Sequence, residues 1–572
     1  MARLSINERV RVTALVAARS RRRALSRALS SPLLRWRYGS ASADQLLIVP
    51  QELRTCDPSF WKEVEVGQFG LAGSLALLYD QSPFEARPPS QAWQRALHGF
   101  GWLRHLAAAD DPNASERARA LAVEWVSRHR GGAGVPWEPA VMGRRLMSWM
   151  THAGLLLEGT DPRTYDILTG SLGHQLVRLA ATWRTSQAGQ PRLVALMAVL
   201  LGDLCIAGHE RQLVDAERAL SEELTRQILA DGGHLSRDPS VLVDLLLDLL
   251  PLSQCFTARD RPVPKAMSAA IARMFMMLRH MRMGDGSLAR FNGVGITAPA
   301  HLATVLAYDD ASSQAQPSQS LRGGYARLVR GSTTVIVDAG AVPPLEFAGR
   351  AHAGCLSFEL SVGRQLVLVN GGAPPPSEHT WGTRARATVS HNTLCIGEKS
   401  SSKMVRHPFL EEIAGAAPIR FPNTVKPVLE AGQKGAGLSA RHDGYAHRFG
   451  LEHARRLELS ADGRALAGTD TISGLGRPVR LKKDLPYSIH FHIHPDVDVS
   501  EAVPDGEASP AFYLELRDGS VWRFSTGDAS VTLEESIHFA DSAGARQSLQ
   551  FVIRGATFGE TNVHWRLEAV DL

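Results

Sequence analysis

The sequence predicts an α+β multidomain protein in which an all-helical domain is followed by an all-β domain. The chain has 572 residues, more than one ordinary core accommodates, since domains usually hold about 100–250 residues. Apolar residues recur every three or four positions, as in helices, from about residue 90 to 310. Beyond that point apolar and polar residues alternate, as in strands. This change of period separates the predicted domains.

The helical region begins with Trp93, Leu97 and Phe100, which recur every three or four positions. Several later segments are apolar on more than one side, namely 144–157, 193–207 and 241–252. Helices of this kind are covered by neighbours on both sides, which indicates an array of packed helix pairs.

Residues 308–324 are polar and contain Pro and Gly, so they are predicted to form the linker. After it, apolar and polar side chains alternate over 356–361, as in a strand with one buried face. The Asp-Gly pairs at 462–463 and 518–519 indicate hairpins. The C-terminal part is therefore predicted to be an antiparallel sandwich.

The predicted domain boundaries follow from these patterns. A basic N-terminal segment occupies 1–80, the helical domain 81–312 and the β domain 325–572. The arginines of the first segment are interpreted as a solvated helix face, with contact to an acidic or membrane surface as the alternative.

Composition argues against several classes of protein. A net charge of +5 gives no strong indication of nucleic-acid binding, although a basic cleft could attract a polyanion. The five cysteines are scattered without CxxC spacing, which argues against a disulfide framework or a thiolate zinc site. No signal peptide or membrane-spanning run is recognised, so we expect a cytoplasmic protein, with the periplasm as the alternative. The sequence carries no indication of the oligomeric state.

The first candidate cluster is the run from Asp231 to Pro239, which contains His234 and Arg237. Its two glycines suit a helix end, and Asp238-Pro239 suits the start of the next helix. His234 and Arg237 are thus predicted to lie in an inter-helix loop, where functional groups are common. Turn formation alone would explain the same residues.

The second cluster contains His352, Asn370 and His391, each at an expected strand end. Such residues can converge at one rim of a sheet and hold a metal or an anion. The alternative is that the histidines are ordinary sheet residues with satisfied hydrogen bonds.

Three further features of the sequence give weaker indications of functional residues. Alternation places His490, His492 and His494 on one face of a strand, as metal ligands or as half-exposed residues. Tyr445 follows a turn and is either a core residue or a phenol for proton transfer. A predicted loop before His391 carries residues suited to stacking on a sugar and pairing with a carboxylate, or to an ordinary surface, namely Trp381, Arg384 and Arg386.

The order of several motifs resembles the heparinase II/III family. The helical part contains Trp93-Gln-Arg-Ala-Leu-His-Gly-Phe-Gly-Trp-Leu103 and Asp231-Gly-Gly-His234, and the β part contains Ala351-His-Ala-Gly-Cys-Leu-Ser-Phe-Glu-Leu360, Asn370-Gly-Gly and Ser390-His-Asn-Thr393. The resemblance implies an incomplete (α/α) toroid followed by an antiparallel β-sandwich. It also implies a polysaccharide lyase that cleaves a uronate-containing acidic glycan by β-elimination.

This reaction needs a group that neutralises the uronate carboxylate, a base for the C5 proton and an acid for the leaving oxygen. If the chain is such a lyase, we expect Arg237 and Arg350 to hold the carboxylate, with Asn370 as a further contact. His234 or His352 would be the base, and Tyr445 is the candidate acid.

The match to the family motifs is incomplete. Arg350 replaces the first histidine of the family's His-x-His-Ala-Asp pattern, and Asn370 replaces an Asp. His352, Asn370 and His391 would thus form a poor site for Zn or Ca, so no cofactor is certain. Val241 and Leu242 occupy the positions of the Tyr-His pair found in many relatives.

Two functions stay open from the sequence. The first is a lyase acting on an acidic polysaccharide. The second is a non-cleaving protein that binds such a glycan during exopolysaccharide assembly or export, which fits the unrecognised secretion signal. A glycoside hydrolase would need paired acidic residues across the cleft, and none is recognised.

Overall fold

The protein is described from a computed structural model, which places residues 5–29, 43–79, 81–208, 212–310, 317, 319–375, 379–405, 411, 416–432, 435–476, 481, 483–501, 511–527 and 529–571. Residues 311–316 and 318 of the predicted linker lie outside these described residues, and its residues Gln319–Arg322 form a strand instead. The expected order holds: helices occupy the first part of the chain and antiparallel strands the second.

The structure describes fifteen α-helices, and most of them pack apolar residues against neighbouring elements. They are α1 (Ile6–Leu29), α2 (Phe60–Glu65), α3 (Gln91–Gly99), α4 (Leu103–Ala108), α5 (Pro112–Arg128), α6 (Pro139–Thr151), α7 (Ala153–Leu157), α8 (Pro162–Thr182), α9 (Gln190–Cys205), α10 (Leu213–Gln227), α11 (Ser240–Ala258), α12 (Lys265–Met281), α13 (Pro299–Leu306), α14 (His379–Ala385) and α15 (Ala446–Phe449).

Helices α3 to α13 form the incomplete toroid. Its most buried member is α9, which packs against α6, α8, α10 and α11. Local sequence sets several helix starts. Asp111 and Asp161 cap α5 and α8 through backbone N–H groups, and each is followed by Pro at the first helical position. The helical spacing that begins at Trp93 does not give one helix, because Phe100 has a positive φ of 57° and separates α3 from α4.

The strands pair antiparallel throughout the described residues. They are β1 (Gln68–Leu71), β2 (Ser74–Leu77), β3 (Gln319–Arg322), β4 (Tyr325–Arg330), β5 (Thr333–Asp338), β6 (Phe358–Val362), β7 (Gln365–Leu368), β8 (Leu394–Ile396), β9 (Lys403–Met404), β10 (Pro418–Arg420), β11 (Val425–Gly432), β12 (Gly435–His442), β13 (Leu451–Ser460), β14 (Ala465–Gly474), β15 (Leu485–His492), β16 (Asp498–Glu501), β17 (Phe512–Glu515), β18 (Val521–Thr526), β19 (Val531–His538), β20 (Arg546–Thr557) and β21 (Thr561–Val570).

The β domain is a sandwich of three main sheets. Their strand orders are β3-β4-β5-β6-β7, β19-β20-β15-β8 and β11-β12-β13-β14-β21-β18-β17-β16. One aromatic cluster joins all three: Phe358 stacks on Trp565 with ring centroids 5.5 Å apart, and Phe491 lies 4.9 Å from Trp565. Both predicted Asp-Gly hairpins are confirmed, between β13 and β14 and between β17 and β18.

Strand β6 differs from the predicted half-exposed strand. All its residues from Phe358 to Val362 are buried, including Glu359 and Ser361. The cause is the toroid, which covers the face of β6 that would otherwise meet water. Gly284 of the toroid donates to Ser361 Oγ at 3.0 Å, and Arg290 pairs with Glu359 at 3.4 Å. The two domains therefore share a polar interface along this sheet.

Helix α11 is the one described helix that is long and apolar enough to cross a membrane. Of its most apolar window, 72% is buried inside the protein, and its neighbours are α9, α12 and α13. This is the environment of a core helix in the toroid.

Candidate functional site

The loop between α10 and α11 meets the β domain, and Arg237 lies at this junction. Its backbone has a φ of +54°, and its buried guanidinium donates to four carbonyl groups and to Asp338 Oδ1, the last at 2.7 Å. Burial alone would lower the Arg237 pKa, but the Asp338 carboxylate more than offsets this and raises it. Arg237 therefore holds the two domains together with all its donors engaged by protein.

His234 is buried in the same loop. The Ser236 N–H donates to His234 Nδ1 at 3.1 Å, so Nε2 carries the proton and donates to Gln227 Oε1 at 3.0 Å. Burial lowers the His234 pKa to about 4, which keeps the ring neutral at physiological pH. Both ring nitrogens of this candidate base are thus occupied within the toroid.

Arg350 differs from Arg237 because 58% of its side chain is exposed. Its Nη1 lies 3.0 Å from Asp238 Oδ2, and its Nη2 donates to the Gly293 carbonyl. Burial raises the Asp238 pKa, and the facing Arg350 opposes that change. Arg350 balances a buried carboxylate while keeping part of its side chain accessible to a ligand.

His352 and His391 lie side by side, as the sequence predicts for residues at converging strand ends. His391 Nδ1 donates to the Ala387 carbonyl at 2.8 Å, which leaves His391 Nε2 to accept from His352 Nδ1 at 3.0 Å. The remaining nitrogen, His352 Nε2, is then an unprotonated acceptor. Burial lowers both pKa values, that of His391 to about 4. The pair is neutral, and His352 Nε2 is its one basic atom.

The predicted Zn or Ca site does not fit these residues. Asn370 Oδ1 accepts from the Asn392 N–H at 3.0 Å, and its Nδ2 donates to the Arg290 carbonyl at 3.4 Å. The Asn370 amide is therefore engaged by the backbone, and the two histidines bond to each other. Among the described residues no group of three or more His, Cys, Asp or Glu side chains could hold a metal ion.

Tyr445, the candidate acid, lies in the sandwich core rather than at a cleft. Its side chain is 1% exposed, and its hydroxyl donates to the Leu394 carbonyl at 2.9 Å. Burial raises the Tyr445 pKa well above its usual value. The phenol is thus buried, and its hydroxyl is engaged by the backbone of the β domain.

The predicted sugar-contacting residues form part of helix α14 and the turn after it, not a long loop. Trp381 lies 5.6 Å from Phe539 between ring centroids, and the Arg384 guanidinium lies 5.3 Å from the Trp381 ring. Arg386 instead donates two hydrogen bonds to the Ala351 carbonyl. Trp381 is half-buried and Arg384 is exposed, so both side chains are partly accessible to solvent. Arg386 instead holds the backbone next to His352 in place.

The alternating histidines of β15 are also engaged. His490 and His492 stack with centroids 6.1 Å apart, which confirms that they share a face. His490 bonds Ser488 and Gln550, and His492 bonds Ser536 and the Val389 carbonyl. His494 lies beyond the end of the strand. These contacts match the alternative of satisfied sheet residues.

The structure also contains a cavity lined by arginines that the sequence did not predict. We call it the arginine cavity. It lies between α1 and the toroid, has a volume of about 1020 Å³, and is lined by the arginines Arg19, Arg22, Arg23, Arg27, Arg95, Arg144 and Arg178 together with small and polar residues. The signal that could have found it is the spacing of the α1 arginines, which places residues 19, 22, 23 and 27 on one helix face.

An (α/α) toroid joined to an antiparallel sandwich is the architecture of a class of polysaccharide lyases, and solved structures share it. The chain superposes on heparinase III with a TM-score of 0.68, at 14% identity over 87% of this chain and 80% of that one. It also superposes on a mutant of heparan sulfate lyase from Pedobacter heparinus, with a TM-score of 0.61 and 16% identity over 98% of this chain and 91% of that one. At these identities the likeness concerns the fold.

Sequence comparison adds the family. The profile described as Heparinase II/III-like, C-terminal, matches residues 314–566. FtsZ-localized protein C of Caulobacter vibrioides is 30% identical over 531 residues, which cover 91% of this chain and 90% of that protein. The chain therefore belongs to the heparinase II/III family.

Proposed function

We propose that this chain is a non-cleaving acidic-glycan-binding protein built on the lyase fold. The observation that carries the proposal is the position of Tyr445, whose buried hydroxyl is bonded to the Leu394 carbonyl. β-Elimination needs a proton donor at the leaving oxygen. With Val241 and Leu242 at the usual Tyr-His positions, neither Tyr445 nor that stretch of α11 supplies one.

The other candidate groups support the same proposal. His234 and Arg237 have their polar atoms engaged inside the protein, and no described cluster suits a metal that could replace them. Groups on the toroid–sandwich rim that could still meet a glycan are Arg350, Trp381 and Arg384. An arginine and an aromatic ring can bind a sugar acid without breaking a bond.

Cleavage remains the second candidate function because of one feature. His352 Nε2 is unprotonated and is oriented by the hydrogen bond between His352 and His391, as a general base requires. Arg350, two residues earlier, is partly exposed and could face a uronate carboxylate.

Incubation with acidic glycans separates the two functions. The purified full chain is mixed with heparan sulfate, hyaluronan, alginate and bacterial acidic exopolysaccharides. Ultraviolet absorbance reports the unsaturated uronate product, and a binding assay runs in parallel. We expect binding to at least one glycan without a rise in absorbance. The proposal would be overturned if the wild-type chain raised the absorbance, the His352→Ala variant did not, and the Tyr445→Phe variant still did. That result would establish lyase activity.

We also infer that the protein acts where FtsZ assembles. The support is the 30% identity over most of its length to a protein named for its localization with FtsZ. A fluorescent fusion in the native host should form a band that coincides with labelled FtsZ and disperses when FtsZ is depleted. A uniform signal in cells with intact FtsZ bands would contradict this inference.

A further inference from the structure

Helix α1 bridges the two domains with a single face. Its first half docks on the β domain: Val12 packs with Val405 and Ile419, and Leu15 packs against a cluster containing Ala417. Its second half contacts α8 and the turn that follows it in the toroid. The face continues at three- and four-residue spacing from Val12 and Leu15 to Arg19, Arg22, Arg23 and Arg27.

This face changes from apolar to cationic where α1 leaves the β domain. Arg19, Arg22, Arg23 and Arg27 all line the arginine cavity, and Ser26 lies between them. Like charges three or four residues apart on a helix repel one another. Among the described residues, no ion pair joins a carboxylate to Arg23 or Arg27. Helix α1 thus places several positively charged guanidinium groups, which repel one another, along the arginine cavity.

The opposite wall of the arginine cavity is also basic. Arg95, Arg144 and Arg178 belong to the toroid, and Glu138 is the only acidic residue among the described lining residues. Glu138 pairs with Arg95 at 2.8 Å, and Arg144 pairs with Asp248 at 2.6 Å. Both acids partly neutralise the toroid wall. On the α1 side, the Glu346 carboxylate and the Arg192 guanidinium both act on Arg22. The remaining arginines leave the cavity with a net positive charge, most of it on α1.

We propose that the arginine cavity binds a short acidic oligosaccharide between α1 and the toroid. This inference rests on the proposed glycan-binding function and assigns it a set of residues that does not include the His352–His391 pair. Guanidinium groups bind carboxylates and sulfates through paired hydrogen bonds, and a bound polyanion would relieve the repulsion across the cavity. Trp137, which also lines the cavity, offers an aromatic surface beside these charges.

Size and shape favour an oligosaccharide over a membrane surface. The cavity volume of about 1020 Å³ lies at the upper end of small-molecule sites, roughly 300–1,000 Å³. Of the α1 arginines that line the cavity, Arg23 and Arg27 are exposed, whereas Arg19 and Arg22 are half-buried. A flat bilayer does not reach the half-buried pair, whereas a narrow oligosaccharide can enter the cavity.

The test compares two charge-matched variants of the full chain. The cavity variant carries Arg22→Gln, Arg23→Gln and Arg27→Gln. The control variant carries Arg21→Gln, Arg117→Gln and Arg163→Gln, three exposed arginines that do not line the cavity. Affinity is measured at about 0.15 M ionic strength for a fluorescent oligouronate, a heparin oligosaccharide and vesicles with anionic lipid. Circular dichroism and the melting temperature establish that each variant is folded.

We expect the wild-type chain to bind at least one oligosaccharide, and the cavity variant to bind it about tenfold or more weakly. The control variant should stay within about twofold of the wild type. Equal losses in both variants, no loss in the cavity variant, or wild-type binding to vesicles alone would each overturn the inference. A glycan bound equally by wild type and cavity variant would leave the proposed function standing, while failure of the wild type to bind any glycan would remove both.

Discussion

Tyr445 illustrates how a side chain with catalytic chemistry becomes part of a core. Its ring lies among the buried residues of the β domain, 5.8 Å from His442, and its hydroxyl reaches the backbone of β8. A buried hydroxyl needs a partner, and the Leu394 carbonyl supplies it. The side chain therefore stabilises the sandwich and is removed from a ligand.

Replacing Tyr445 by Phe tests this role. The variant should lose about 1 kcal/mol of unfolding free energy, because one net hydrogen bond disappears and the Leu394 carbonyl is left without this donor. Glycan binding should be unchanged. Urea denaturation gives the stability, and Tyr79→Phe, at an exposed position, should match the wild type. Lost activity or binding at unchanged stability would instead assign Tyr445 to the functional site.

At the residue scale, the sequence identified polar side chains that form hydrogen bonds and ion pairs in the fold. It did not predict which residues are their partners. His352 and His391 were expected together, and they lie in contact. Arg237 was expected to meet a substrate carboxylate, and in the fold its carboxylate is Asp338, 101 positions away. An ion pair between such distant residues depends on how the domains meet, which local spacing does not encode.

Among the elements, α1 departs most from its predicted solvated face. Ser5 and Glu8 form a capping box: the Ser5 N–H donates to Glu8 Oε2 at 2.9 Å, and the Glu8 N–H donates to Ser5 Oγ. The same carboxylate pairs with Arg420 and Lys403 of the β domain. One buried acid thus both starts the helix and docks it on the β domain.

The Glu8→Ala variant should detach α1 from the β domain. Docking should weaken by about 1–3 kcal/mol, because a hydrogen-bonded acid is lost beside two cations. Brief trypsin digestion followed by mass spectrometry should show faster cleavage within α1, while the main thermal transition stays in place. Glu116→Ala, an exposed acid on α5, is the control. Cleavage at the wild-type rate would mean that the apolar contacts alone hold α1.

Secondary-structure elements were predicted best where a short sequence motif determines the backbone conformation. Asp-Gly at 462–463 and 518–519 yields hairpins because these residues tolerate the tight turn. Residues 379–385 were expected in a loop and form α14. The break at Phe100 was also missed, because apolar spacing alone does not reveal a positive φ.

For the molecule as a whole, the buried histidines predict how stability depends on pH. Burial lowers the pKa to about 4 for His234, His280 and His391, from an ordinary value of 6.5. As pH falls below that value the unfolded chain takes up these protons first, so unfolding becomes easier. Asp203 acts in the opposite sense, because burial raises its pKa to about 7.

Burial lowers the pKa of further histidines as well, namely His98, His105, His492, His494 and His538. They outnumber the buried acids whose pKa is raised, which are Asp203, Asp238 and Glu359. The unfolding free energy should therefore fall between pH 7 and pH 5. Chemical denaturation at a series of pH values measures this directly. The midpoint should decline steadily below pH 6.5, where the ordinary imidazole titrates. Equal midpoints at pH 7 and pH 5 would mean that these rings are not held neutral in the fold.

The sequence by itself determined the order of the domains, most helices, the two hairpins and the family resemblance. These features depend on periodicity and on motifs that lie close together in the chain. The tertiary structure alone decided that Arg237 and Tyr445 are engaged internally, that β6 is covered on both faces, and that α1 closes a cavity lined by arginines. These outcomes depend on contacts between residues distant in sequence, because a polar group takes its partner from whichever element packs against it.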